Sequence, residues 1–173
     1  MPFPTWVEEA AVTSAARTLK LDGPSRLTYL RAHLTRQISR LATEFGLEGD
    51  DGVPSFSADG ESAPAVRVDA SGRMHYVARE RGRTIFDRTT HDPQELLYWC
   101  AKGMAYHAAW SVPVAPESAQ DRRALIFATQ ARLLHRLNPQ WAIRWRSEML
   151  AKDWMAHDLA ALLPDLPPPD GGR

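Results

Sequence analysis

The sequence lacks several features that would assign a protein to a particular class. It holds a single cysteine, Cys100, so it can form no internal disulfide, which is typical of proteins from reducing compartments. No apolar run approaches the ~20 residues of a membrane-spanning helix, and the N-terminus lacks the basic-then-apolar order of a signal peptide. These absences predict a cytoplasmic protein with no membrane partner.

An excess of charge of either sign is also missing. The 21 basic and 21 acidic residues give a formal net charge of +0, which argues against a constitutive binder of nucleic acid or of anionic membranes. The chain has 173 residues, of which 44% are hydrophobic, enough for one domain with a real core. We therefore expect a single domain over residues 1–163. The Pro- and Gly-rich residues 164–173 are expected to form a disordered tail.

Residues 92–110 combine helix signals with an unusually apolar composition. Asp92 suits an N-cap, Pro93 suits the first helical position, and Glu95 has the spacing of a capping partner. Gly103 would cost roughly 1 kcal/mol relative to Ala in mid-helix, so we expect another element to pack closely there. The stretch predicts a buried central helix whose apolar face carries Leu96, Leu97, Cys100, Met104 and Ala108.

Three short stretches after residue 64 alternate between apolar and polar residues, as half-buried strands do. They cover residues 65–69, 73–79 and 83–88, and the turns between them carry Gly72 and Gly82, which can adopt a positive φ. Helical spacing of apolar residues covers 5–20, 25–45, 120–137 and 139–163 as well as 92–110. The pattern predicts an α+β fold, a small antiparallel β-meander packed against a bundle of about five helices.

Residues 43–66 differ in charge from the rest of the chain. They carry six acidic residues and no lysine or arginine, and Gly and Pro interrupt them throughout, which predicts a loop with at most one short strand near 53–57. Asp50, Asp51 and Asp59 do not follow the spacing of a calcium-binding loop. A solvated connector is one interpretation of this segment, and an acidic docking surface is the other.

Patterns of catalytic and metal-binding residues are missing as well. The chain has no zinc-type cysteine pairs, phosphate-binding loop, dinucleotide fingerprint or G-x-S-x-G elbow. His91 and Glu95 have i, i+4 spacing, which is a weak metal signal, and with His107 they could line the pocket of a small-molecule enzyme. A nucleic-acid-binding regulator that uses the Arg-rich meander is a second alternative. The residues alone favour a binding module without catalytic residues, metal or cofactor.

Four short motifs follow one another between residues 64 and 150. They are Glu80-Arg81-Gly82, Asp92 with Glu95-Leu96-Leu97-Tyr98-Trp99, Gln120-Asp121-Arg122-Arg123, and Trp141 with Arg144 and Glu148. In this order they resemble the Immunity protein 63 family of bacterial polymorphic toxin systems. The resemblance implies a protein made beside a toxin, which binds that toxin and stops it killing the producer or its kin. It implies an inhibitor whose partner is a toxin domain, and neither an enzyme nor a nucleic-acid binder.

Charge suggests where such a toxin would bind. Many toxins that act on polyanions or nucleotides have basic clefts, and complementary charge speeds encounter with the partner. We therefore predict toxin contacts in the acidic segment that block the mouth of the active site. Two tryptophans in the last helix are predicted to be exposed aromatic anchors. The predicted contacts are Asp50, Asp51, Asp59, Glu61, Trp141 and Trp145.

Overall fold

A computed structural model of the chain describes residues 23–47, 49, 52–56, 60, 61, 63–113, 119–152 and 160–166. Within these residues the order is α1 (Gly23–Phe45), β1 (Ala65–Val68), β2 (Met74–Glu80), β3 (Arg83–Thr90), α2 (Pro93–Trp110), α3 (Ala119–Leu137) and α4 (Pro139–Leu150). The α+β class is confirmed, with four helices rather than about five in the described part. The helix predicted at residues 5–20 lies outside the described residues. No described helix is long and apolar enough to cross a membrane.

The strands form the predicted antiparallel meander in the order β1-β2-β3. Val66 lies opposite Tyr76 in the first pair, and Tyr76 lies opposite Arg88 in the second. Arg81 and Gly82 turn the chain between β2 and β3 with φ values of 50° and 74°, which is the backbone conformation that a tight hairpin needs. The predicted short strand near 53–57 is reduced to a single parallel bridge between Ser55 and Ala65.

Helix α2 is buried along most of its length, as predicted. The Asp92 carboxylate accepts a 2.9 Å hydrogen bond from the backbone N–H of Gln94, so this residue is the N-cap. Leu97 and Met104 are buried, and Cys100 is buried as a free thiol. Burial raises the pKa of that thiol, which makes a reactive thiolate unfavourable.

The capping role predicted for Glu95 is wrong. The backbone N–H of Asp92 donates instead to the Thr90 hydroxyl at 3.0 Å. Glu95 is therefore released from the cap, and its carboxylate binds Arg144 on α4.

The last helix ends well before the predicted residue 163. Helix α4 stops at Leu150, with Ala151 as its C-cap. The chain then returns to the domain, where the Arg146 guanidinium donates to the Pro164 carbonyl at 3.1 Å. Leu163 is buried and Leu166 is packed against the core. These contacts hold residues 163–166 against the core, and residues 153–159 and 167–173 lie outside the described residues.

Strand β2 approaches the central helix closely at Gly103. A Cβ placed on Gly103 would lie 2.6 Å from the Tyr76 hydroxyl oxygen and 3.9 Å from its ring carbon Cζ. The close approach expected at this glycine is therefore confirmed, and the neighbouring element is strand β2.

We predict that Gly103→Ala lowers the free energy of unfolding by up to ~2 kcal/mol, because overpacking against Tyr76 exceeds the ~1 kcal/mol gain in helix propensity. In a Tyr76→Phe background the hydroxyl is gone, so the same substitution should raise the free energy of unfolding by up to ~1 kcal/mol. Urea unfolding of the four proteins measures both effects. An equal effect of Gly103→Ala in the two backgrounds would contradict the contact.

Candidate functional site

Four charged residues fasten α2 to α4. Arg144 donates to both oxygens of Glu95, at 2.5 and 2.6 Å. It also donates to Glu148 one helical turn further on, at 2.9 Å. Lys102 donates to the other oxygen of Glu148 at 2.6 Å. We call Glu95, Lys102, Arg144 and Glu148 the ion-pair clamp.

Aromatic rings lie directly against this clamp. The Arg144 guanidinium is 4.1 Å from the centre of the Tyr98 ring, and the Lys102 ammonium is 5.2 Å from the same centre. Tyr98 packs in turn on Trp141, with 6.0 Å between ring centres. Because Tyr98 is buried, these cation–π contacts stabilise the clamp on the side that faces the core.

Within the clamp, electrostatics favour the ion pair between Arg144 and Glu95 more than the pair between Lys102 and Glu148. The hydrogen bond from Arg144 lowers the pKa of Glu95, against the effect of burial. Burial also opposes ionisation of Glu148, but hydrogen bonds from Lys102 and Arg144 outweigh it and lower the pKa of that carboxyl. Burial lowers the pKa of Lys102 despite its Glu148 partner. The Lys102–Glu148 contact therefore loses part of its Coulomb gain to desolvation.

Beside the clamp, an open cavity of about 510 Å³ lies between β2, β3 and the three C-terminal helices. Aromatic and aliphatic side chains form most of its walls, and basic side chains complete them. We call it the basic aromatic groove. It is lined by Tyr76, Phe86, Arg88, Trp99, Lys102, Gly103, Tyr106, Trp110, Arg123, Ile126, Phe127, Gln130, Trp145, Met149 and Lys152.

The groove is held in shape by contacts between its own elements. Gln130 donates from its side chain to the Lys102 carbonyl at 3.0 Å, which ties α3 to α2. Phe127 meets Trp145 edge to face, with 6.3 Å between ring centres. Because both rings are buried, this part of the groove wall belongs to the hydrophobic core and is preorganised.

Two aromatic side chains at the mouth of the groove face water. Tyr106 is 47% exposed and Trp110 is 45% exposed, and their rings meet edge to face at 6.1 Å. The Arg122 guanidinium lies 5.1 Å from the Trp110 ring and donates to the Trp110 carbonyl at 3.0 Å. These contacts fix large aromatic surfaces in an exposed position, which is a common property of interface residues.

A second, polar hollow of about 360 Å³ lies beside β1. His75 contacts Asp87 at 3.1 Å and Asp69 at 3.8 Å there. A hydrogen bond from the Ser71 hydroxyl lowers the pKa of Asp69 to about 2. Asp69 thus organises its own turn, and no cluster of side chains within the described residues could hold a metal ion.

The predicted toxin contacts lie in different places. Trp145 is only 1% exposed, so the predicted exposure of this ring is wrong: it packs into the core and forms part of the groove wall. Trp141 is half-buried against Tyr98. Glu61 is exposed and accepts a 2.9 Å hydrogen bond from the backbone N–H of Gly82. Asp50, Asp51 and Asp59 lie outside the described residues.

The residues of the enzyme alternative do not meet. His91 is exposed before α2 begins. Glu95 and His107 are twelve residues apart on α2, which separates them by about 18 Å along the helix axis. Glu95 is already bound by Arg144. These three side chains therefore do not form one pocket.

Two of the four motifs that carried the family resemblance, the one that begins at Asp92 and the one that begins at Trp141, meet at the ion-pair clamp. Their residues Glu95, Tyr98, Trp141, Arg144 and Glu148 form a connected set of contacts there. Residues 70–151 match the Immunity protein 63 family. This match confirms the resemblance and implies an immunity protein. Comparisons with curated proteins and with solved structures found no match. The Immunity protein 63 region contains β2, β3, α2, α3 and α4, which are the elements that build the clamp and the groove.

The sequence did not predict the groove, although the spacing of four lining residues on β3 and α2 indicates which of them share a face. Phe86 and Arg88 alternate within β3 and so lie on one face of the sheet. Tyr106 and Trp110 are four residues apart on α2 and so share one helix face. Arg123 comes from a separate helix, and nothing in its local sequence brings it to the other four.

We predict that Arg144→Ala lowers the free energy of unfolding by ~1–2 kcal/mol. Arg144 is 43% exposed, so solvent screens its ion pairs to ~0.2–1 kcal/mol, and the cation–π contact adds ~0.5–1 kcal/mol. Chemical denaturation measures the loss. The matched control is Arg132→Ala at an exposed position of α3, which should change stability by less than ~0.5 kcal/mol.

We also predict that the clamp makes stability depend on pH in acid. The folded-state pKa of Glu95 lies below its ordinary value of 4.5, so its contribution is complete above that pH and is lost as the pH falls through the lowered pKa. Glu95→Gln should flatten the decline of unfolding free energy below about pH 5. Denaturation at a series of pH values tests this, and an unchanged slope in the variant would contradict it.

Proposed function

We propose that this chain binds a cognate bacterial toxin domain in the cytoplasm and neutralises it by protein–protein contact. The observation that carries the proposal is the family match over residues 70–151. Every residue that lines the basic aromatic groove except Lys152 lies within the matched region. The family match and the basic aromatic groove therefore concern the same part of the chain.

The side chains at the groove mouth suit a protein partner. Tyrosine, tryptophan and arginine are enriched among the residues that contribute most to protein–protein affinity. Tyr106, Trp110 and Arg122 form a connected cluster of these three types, in which the two aromatic rings are exposed and Arg122 is half-buried. Inhibition by contact requires no chemistry from the inhibitor, so we propose a function without catalysis, cofactor or bound metal.

The acidic segment is proposed as a second contact with the toxin. Asp50, Asp51, Asp59 and Glu61 would face a basic cleft and block the mouth of its active site. The end of this segment is anchored to the β2–β3 turn, because the Glu61 carboxylate accepts a hydrogen bond from the backbone N–H of Gly82. A toxin that such a protein meets in the cytoplasm would act on nucleic acid, a nucleotide or a protein.

The test is co-expression with the toxin domain encoded by the neighbouring reading frame. Cells that produce the toxin domain alone should die, and cells that also produce this chain should grow. Purified proteins should form a complex by size-exclusion chromatography. Death of cells that produce both, together with the absence of a complex, would refute the proposal. Salt-sensitive binding to DNA or RNA in place of the toxin would favour a nucleic-acid regulator.

We predict that changing Asp50, Asp51, Asp59 and Glu61 together to Lys slows association with the toxin at least tenfold and abolishes protection, because like charges would then face each other. Stopped-flow association at low salt measures the rate. Glu61→Gln is the matched control, since it removes a charge but keeps an acceptor for the Gly82 N–H. Unchanged association and full protection in the fourfold variant would identify the segment as a solvated connector.

A further inference from the structure

We infer that the basic aromatic groove is the docking site for a segment of the toxin domain in which carboxylates flank a large apolar side chain. The inference rests on the proposed function and names the part of the partner that enters this site. The main contact with the toxin then lies on a basic surface, in contrast to the acidic segment.

The interior of the groove selects an apolar side chain. Tyr76, Phe86, Trp99 and Phe127 contribute rings to its walls, and Met149 contributes a flexible thioether. Its volume of about 510 Å³ is within the range of sites that enclose whole ligands. A large aromatic or aliphatic side chain would replace water against these walls, which is favourable in proportion to the apolar area removed from solvent.

The basic side chains that line the groove favour carboxylates next to the inserted apolar side chain. Arg88, Lys102, Arg123 and Lys152 supply four cations, while no aspartate or glutamate occurs among the described lining residues. Glu148 binds Lys102, and Arg88 lies 5.7 Å from the Phe86 ring centre and 5.9 Å from that of Trp99. Because Lys102 is already paired with Glu148, the charge that a partner would meet comes from Arg88 and Arg123. A partner that brought apolar surface alone would exclude water from these two guanidinium groups without supplying a counter-charge.

The mouth of the groove indicates a segment of a protein rather than a fully enclosed small molecule. Tyr106 and Trp110 line the groove and are also about half exposed. A partner that fills the groove would therefore also cover this aromatic surface outside it. A protruding segment of a folded protein provides both contacts at once, with one side chain inserted and its flanks lying on the two rings.

The experiment measures the affinity of an inactive form of the toxin domain encoded by the neighbouring reading frame for the full chain and its variants. Trp110→Ala should raise Kd at least ~30-fold, as expected when a large aromatic contact is removed from an interface. Arg123→Glu should raise Kd at least ~10-fold and reduce the effect of salt on the association rate. When the toxin carboxylate that contacts Arg123 is replaced with Arg, the toxin should regain binding to the Arg123→Glu variant and to no other variant.

Both substitutions have matched controls in this chain. Leu150 is 45% exposed, as is Trp110, but does not line the groove. Arg132 is nine residues from Arg123 on α3 and so lies about 180° around the helix. Leu150→Ala and Arg132→Glu should leave Kd within ~3-fold of the wild type. Circular dichroism and unfolding curves establish that every variant is folded.

The outcomes separate this inference from the proposed function. If the wild-type chain binds the toxin domain and the groove variants bind it as well as their controls do, the groove is not the docking site and the proposed function stands. If the wild-type chain does not bind the toxin domain, both proposals fail. If sedimentation instead shows a dimer of this chain that Trp110→Ala dissociates, the occupant is a second copy and the inference is overturned.

Discussion

The structure depends on burying helix α2 on nearly every side. Leu96, Leu97, Cys100, Ala101, Met104 and Ala105 are all within 2% of complete burial, and a helix that is apolar around most of its circumference is stable only when other elements surround it. The sheet reaches it through Tyr76 at Gly103. Helix α3 reaches it through Gln130, and α4 through the Glu95–Arg144 pair. The other elements are therefore arranged by the need to cover this one helix.

The basic aromatic groove follows from the same arrangement. Helix α2 carries its own large side chains, Trp99, Tyr106 and Trp110, toward the gap between β3 and α3. Gly103 leaves space at the middle of that surface, which the Tyr76 hydroxyl approaches. The covering elements thus meet around α2 and bury Trp99, but they do not close over the rings of Tyr106 and Trp110. The result is a cavity whose walls belong to the core and whose mouth is open to a partner.

Charged side chains have different roles in the ion-pair clamp and in the basic aromatic groove. In the ion-pair clamp, two carboxylates and two cations satisfy one another, so its net charge is close to zero and it fixes the position of α4. In the groove, cations occur without carboxylates among the described lining residues. Lys102 belongs to both, because it lines the groove and its ammonium group binds Glu148. The clamp thereby holds one wall of the groove in place, and this connects the residues of the family motifs to the proposed docking surface.

Local sequence determined the elements, because the signals for them are short-range. The Asp92 cap, the alternation of β2 and β3 and the turn at Arg81-Gly82 each depend on residues close together in the chain. The family resemblance rested on the same local motifs. Only the tertiary structure decided that Glu95 binds Arg144 rather than its own cap, that Trp145 is buried and that Arg123 joins Arg88 at one groove. These outcomes depend on which helix faces pack together, a choice that involves residues many positions apart and that no local pattern in one sequence records.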